Sequence, residues 1–256
     1  VDTLLKLKAD APGERGFGEI SRVYAQVHHY APPKLASRQE WETYRDTQRA
    51  ALRELLGEPI PRRGAARLVG SVERDGLVIE RVLCPSEGDI LVPALVLRPA
   101  GAKGKLPVVV MVGDGGKDAL LAAAGDDSAT ARARRGALVL LPDVRFAGEL
   151  SLRALAGTSQ KLLTFAACSP LGEGKPEGFE AAWQRNALLW GRPLPAMAAT
   201  DLCAVVDYAL LRADADGEAV ALVARGGLAL AALLEAALDV CVGSLDVDLG
   251  GRCFEA

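Results

Sequence analysis

Histidine is nearly missing from this chain of 256 residues: His28 and His29 are the only two, adjacent and upstream of every core-forming segment. An imidazole base within the core is thereby excluded, and a serine hydroxyl without one is a poor nucleophile near neutral pH. An excess of either charge is also lacking. The formal net charge is -3 with Lys and Arg scattered, so no clustered basic surface exists for nucleic-acid phosphates or an acidic membrane, and neither is expected as a partner. No apolar run reaches the roughly 18 to 20 residues that cross a bilayer, and the opening "VDTLLKLKAD" lacks the apolar centre of a signal peptide. Cysteines are few and odd in number. Cys84, Cys168, Cys203, Cys241 and Cys253 are widely spaced in mostly apolar surroundings, which fits buried free thiols and not a disulfide framework or a zinc site. No metal and no cofactor is therefore expected. Internal repeats and low-complexity tracts are lacking too.

What is present is a hydrophobic half of the residues, enough to bury one full domain. The chain opens on Val1 and closes on "VDLGGRCFEA", straight after a strand-like stretch, and so reads as a piece of a longer protein. The compartment stays open, because a leader would lie outside it. Residues 1–36 end in "YAPPKLA", whose paired prolines forbid a continuous helix, and read as a linker or the tail of a preceding domain. Residues 37–256 read as one domain. It starts with an amphipathic helix in "SRQEWETYRDTQRAALRELLGEP", where Ser37 and Glu40 form a capping-box start, Trp41, Tyr44, Leu52 and Leu55 share a face, and Gly57 with Pro59 ends the helix.

From Gly76 the period becomes that of strands. "GLVIERVLC" and "ILVPALVLRP" flank the turn-forming "PSEGD" and predict an antiparallel hairpin. "PVVVMVG" and "ALVLLPDV" are apolar on both faces, as the central strands of a parallel sheet are, and a helix-compatible stretch from Lys117 to Arg135 joins them. A helical insertion covers about 145–212, with helices around "FEAAWQRNALLWG" and "MAATDLCAVVDYALLR". The sheet then resumes at "AVALVA" and near "DVCVGSLDV".

This order, with four particular segments, resembles the α/β-hydrolases of the acetyl xylan esterase and dienelactone hydrolase type from about Trp41 onward. The segments are "RDGLVIERV" to "VPALVLRPAG", "LPVVVMVGDGG" as the oxyanion-loop strand, "LPDVRFAGE" where such esterases often have Asp-x-Arg-Gly-x-Gly, and "VALVARGGLALAALLEAALD". The resemblance implies an α/β three-layer sandwich, its mostly parallel sheet preceded by the antiparallel hairpin and truncated at its C-terminal side. It places the strand at 219–224 beside the strand at 108–112. It also implies a serine carboxylic-ester hydrolase acting through an acyl-enzyme, with acylated carbohydrate as the substrate class.

The turn after the fifth strand of that fold is the nucleophile elbow, Gly-x-Ser-x-Gly. Laid on "ARGGL", the motif puts Gly226 at the serine, with Ala224 and Leu228 at the flanking glycines. Shifting by one residue puts Gly227 there and still supplies no nucleophile. No catalytic residue is therefore assigned, and Gly226 or Gly227 is expected in a backbone conformation unfavourable for a side-chain-bearing residue. None of the nine serines lies in the full motif; Ser159 in "GTSQK" has its first half, and Ser244 in "VGSLDVD" reads as a turn or cap at a strand end. The amides around Gly113, Asp114 and Gly115 with that of Gly227 form a candidate oxyanion-type backbone site for a carbonyl or a small carboxylate. The alternative is a glycine-rich turn with Asp118 near a helix start.

Neither a phosphate loop nor a dinucleotide fingerprint fits "VGDGGKDA", because Lys117 is followed by Asp118 and the third glycine is wanting. Asp143 and Arg145 fall at the carboxyl edge of the sheet, either as a loop anchor or as cleft-edge contacts to a ligand. Arg185 and Asn186 face either the cleft or solvent, and Glu173, Glu177 and Glu180 read as a solvated loop. Two functions compete: an esterase domain impaired by glycine at the elbow, and a non-catalytic binding or packing module whose partner is a neighbouring domain of the same chain.

Overall fold

The computed structural model describes residues 33–57, 65–151, 176–239 and 241–250, with side chains from residue 183 onward in the helix that begins at Pro176. His28, His29, Ser159, Cys168, Glu173 and Cys253 lie outside the described residues. Two compact units divide the chain, Val1–Arg45 with Cys253–Ala256 and Asp46–Arg252. Among the described residues of the first is the start of helix α1 (Arg38–Leu56). Its N-terminus is capped both ways: Ser37 Oγ accepts the Glu40 N–H at 3.2 Å, and Glu40 Oε2 accepts the Ala36 N–H at 2.8 Å. No residue of α1 is buried. Trp41 and Leu55, expected on a packed stripe, are 50% and 75% exposed.

The second unit is built on one seven-stranded sheet. Its strands are β1 (Arg67–Arg74), β2 (Leu77–Pro85), β3 (Leu91–Pro99), β4 (Leu106–Gly113), β5 (Leu138–Pro142), β6 (Ala215–Arg225) and β7 (Val242–Asp248), in spatial order β1-β2-β3-β5-β4-β6-β7. β1 to β3 pair antiparallel, and β3 pairs antiparallel with β5. β5, β4, β6 and β7 are parallel to one another. The expected neighbours do pair: Val108 to Val112 of β4 align with Val220 to Ala224 of β6.

β1 was not legible in the sequence. Seven of its eight residues are exposed, and an edge strand without a buried face has no apolar alternation to betray it. Ser244 sits within β7, paired with Ala221, and not at a strand end.

Alternation explains the central strands. Val108, Val110 and Val112 of β4 face one core with Leu138, Leu140, Val220, Leu222 and Ala224. Val109 and Met111 face the other with Val139, Leu141 and Val223. Helices cover both sides, as an apolar two-faced sheet requires. α2 (Gly116–Ala122) and α3 (Ala129–Arg134) pack on the second core through Leu120, Leu121, Ala129 and Ala133. α5 (Leu194–Leu210) and α6 (Ala229–Leu238) close the first through Leu202, Val205, Val206, Ala229 and Ala232. The helix-compatible stretch after β4 is thus two short helices, broken at 123–128. α4 (Pro176–Leu189) takes in Glu177 and Glu180, so that part of the expected solvated loop is helix.

Candidate functional site: a closed elbow at the carboxyl edge of the sheet

Register brings the site together. Gly113 ends β4 opposite Arg225, which ends β6, so the next residues, Asp114 and Gly226, emerge side by side at the carboxyl edge where open α/β sheets bind ligands. Arg225 is still extended (φ -132°, ψ 139°). Gly226 then turns to φ +76°, a left-handed conformation that costs a side-chain-bearing residue about 1–2 kcal/mol. A short 3₁₀ turn, Gly226–Leu228, leads directly into α6. The backbone is therefore the tight strand-turn-helix expected from "ARGGL", with the unusual φ at Gly226 and not at Gly227.

A helix start leaves backbone N–H groups without intrahelical partners. Here Asp114 takes them. Its carboxylate accepts the Gly227 N–H at 2.8 and 3.0 Å through its two oxygens and the Leu228 N–H at 3.3 Å. A Cβ built on Gly226 would meet Asp114 Cγ at 2.7 Å. The acid therefore occupies the space that a side chain at 226 would need and holds the amide through which an oxyanion would be bound. Sequence reasoning brought Gly113, Asp114, Gly115 and Gly227 together but treated Asp114 as a backbone donor. Its side chain is the acceptor. The available signal was the preference of Asp for helix starts, supplied across the sheet from β4 instead of from within α6.

Gly115 precedes α2 and Gly116, at φ +70°, begins it, with Asp118 in the first turn. Lys117 is turned inward. Its Nζ bonds Asp143 Oδ2 at 2.6 Å and also Glu149, while its own N–H donates to Asp143 Oδ1 at 2.6 Å. Asp143, 1% exposed, further accepts the Glu149 N–H at 2.9 Å. Burial on its own would lower the Lys117 pKa, but the hydrogen bonds that it donates to Asp143 and Glu149, with their negative charge, outweigh it and hold the ammonium above its ordinary value. Gly116 and Gly148 (φ +50°) close around the Asp143 carboxylate, where a Cβ on either would collide with it.

Arg145 is committed inside the protein. Its guanidinium reaches Asp201 at 2.9 and 3.0 Å, Glu87 at 2.7 Å and the Met197 carbonyl at 2.7 Å. Ser86 donates to the same Asp201, and Arg192 joins Glu87 at 2.6 Å to the Gly57 carbonyl at 2.8 Å. One buried network thus ties the β2–β3 turn, the loop after β5, α5 and the end of α1. Phe146 takes φ +77°, at the position where the Asp-x-Arg-Gly-x-Gly run has its first glycine. Arg185 is exposed and Asn186 half-buried on α4.

Beside the elbow lies a cavity of about 400 Å³ with Met111, Leu120 and Val223 in its wall and Asp126, Asp127 and Arg225 among its polar groups. Arg225 is bridged to Asp246 of β7 at 2.8 Å. Among the described residues no helix is long and apolar enough to cross a membrane.

No family model and no curated protein matches the chain. Solved structures do. A Bacteroides fragilis protein proposed to be an acetyl xylan esterase superposes with a TM-score of 0.65 at 16% identity, over 90% of this chain and 60% of its own. Acetyl xylan esterase 1 from a Thermoanaerobacterium species gives 0.51 at 15% identity, over 86% and 61%. A glucuronoyl esterase from Solibacter usitatus gives 0.51 at 15%, over 82% and 59%. The chain thus spans about 60% of the length of each. Its fold, a mostly parallel sheet between helices with an antiparallel hairpin at one edge, is that of the α/β-hydrolases, as in these three structures, each of which bears an esterase name.

Proposed function

We propose that this chain is an α/β-hydrolase-fold domain without acyl-transfer activity, serving as a binding or packing module of a larger protein. One observation carries the reading: the carboxylate of Asp114 fills the elbow and accepts the Gly227 and Leu228 N–H groups. In a working serine hydrolase, an amide at that place polarises the substrate carbonyl, and a serine at the turn attacks it. Here the turn residue is glycine, and a carboxylate already stands where the developing negative charge would have to sit. A second anion is repelled from that place.

The cavity next to Arg225 gives a binding module somewhere to act, with an apolar wall and charges of both signs at its edge. A small carboxylate or an acylated carbohydrate is the ligand class that the esterase fold suggests. The test is hydrolysis of p-nitrophenyl acetate and covalent labelling by a fluorophosphonate. The purified chain is expected to match buffer in the first and to take no label in the second. Stoichiometric labelling of any serine would overturn the reading.

A second reading is favoured by the names of the relatives, all esterases. In it the parent protein hydrolyses acyl esters of carbohydrate, with nucleophile, base and acid supplied outside this chain by a sibling domain. Activity in the protein carrying its flanking sequences, together with none in this chain, distinguishes it from the first.

A further inference from the structure

Remote in sequence from the elbow loop of β4, two segments bring metal-ligating atoms to one place. Cys203 and Asp207 stand one turn apart on α5, an i, i+4 spacing that puts both on one side of the helix, and Asp239 is the C-cap of α6. Cys203 Sγ and a carboxylate oxygen from each of Asp207 and Asp239 lie within 4.8 Å of one another, all three residues being half-buried. Cys241 lies two residues on. Its backbone N–H donates to Asp239 Oδ1 at 2.8 Å, which fixes the direction of that carboxylate. Of the thiols expected to be buried, Cys84 is, while Cys203 and Cys241 are half-buried, Cys203 beside two carboxylates.

We propose that Cys203, Asp207 and Asp239 bind one thiophilic divalent cation of the zinc class, with a water in the fourth place. One sulfur and two oxygen ligands, with a water, complete the tetrahedron that zinc prefers. Calcium takes six to eight oxygens and magnesium an octahedron of oxygens, and neither favours sulfur. Zinc to sulfur at about 2.3 Å and to oxygen at about 2.0–2.2 Å sets neighbouring ligands about 3.6 Å apart. The present spread contracts to that by side-chain rotation, and a ligating thiol releases its proton to solvent as the metal–sulfur bond forms. The Asp239 contact with the Cys241 N–H supplies the outer hydrogen bond that orients a ligating carboxylate. Such an ion ties α5 to the junction between α6 and β7, stabilising the fold by binding only its folded form.

The experiment titrates the reduced chain with cobalt(II) and then with zinc against a chromophoric chelator. Because Cys168 and Cys253 are also thiols, both are first changed to serine. One equivalent is expected to bind, with a thiolate-to-cobalt charge-transfer band, displacement of cobalt by zinc, and a higher unfolding temperature in zinc. Cys203→Ser and Asp239→Asn should each weaken binding by about 10-fold or more. Asp207→Asn, in a half-buried position on the same helix, serves if one of these fails to fold. A cobalt complex without the charge-transfer band, or unchanged affinity in the variants, would overturn the proposal.

Discussion

Asp114 and Gly227 are 113 residues apart in sequence and joined by two hydrogen bonds of 2.8 and 3.0 Å, from one backbone N–H to both oxygens of one carboxylate. The contact is what remains when a strand-turn-helix elbow keeps its backbone and carries no side chain at its tip. β4 and β6 lie in register up to Gly113 and Arg225, so the first acid past β4 reaches the first free amide of the helix that follows β6. The helix gains a cap worth about 1 kcal/mol, and the turn loses its anion-binding character.

Restoring the hydroxyl at the tip does not restore chemistry. Gly226→Ser places a Cβ at φ +76° and against Asp114 Cγ at 2.7 Å. The variant should lose about 1–3 kcal/mol of stability and hydrolyse p-nitrophenyl acetate no faster than the parent. Urea unfolding and initial rates measure the two effects. Pairing Gly226→Ser with Asp114→Gly should recover part of the stability, since the collision is removed while the left-handed φ remains.

The buried Lys117 and Asp143 support this edge of the sheet. Lys117→Met keeps the apolar stem and removes the charge, leaving Asp143 buried with an unneutralised carboxylate. Breaking one side of such a pair costs about 3–5 kcal/mol. Denaturant midpoints should show a large loss for Lys117→Met, and a smaller one when Asp143→Asn accompanies it, since the amide is uncharged and its oxygen still accepts a backbone N–H.

The first core carries an ionisable group with a measurable signature. Burial pushes the Cys84 thiol up from 9.0 to about 12, so the folded protein keeps the proton while the unfolded chain releases it. A raised folded-state pKa gives stability that is complete below pH 9.0 and lost progressively as pH rises towards about 12. Cys84→Ala should flatten that part of the stability–pH curve at the expense of overall stability. In the native parent, Cys84 should resist thiol reagents until the chain is unfolded.

How far these features could be read from sequence depended on the range of the contacts behind them. β4, β5 and the stretch 219–224 of β6 declared themselves because they are apolar on both faces, a local property. α5 and the capped start of α1 were legible for the same reason. β1 was hidden, since an exposed edge strand needs no apolar face. The elbow was legible as backbone from two adjacent glycines, while its closure was not, because the Asp114 contact depends on the pairing register of two distant strands. Cys203 and Cys241 looked like core thiols from their apolar neighbours in sequence. What sets the surroundings of Cys203 is the approach of α5 to the end of α6, which brings Asp207 and Asp239 beside it.

The most direct test of the closed elbow is an acetate titration of the chain followed by backbone amide shifts, run in parallel on Asp114→Ala. In the parent, the Gly227 and Leu228 amides should stay unmoved to high millimolar acetate, because the Asp114 carboxylate already holds them. In Asp114→Ala the same two amides should shift and saturate, and the variant should unfold about 1 kcal/mol more easily through loss of the cap. Saturating acetate shifts at Gly227 in the parent, or none in Asp114→Ala with its fold intact, would contradict the account.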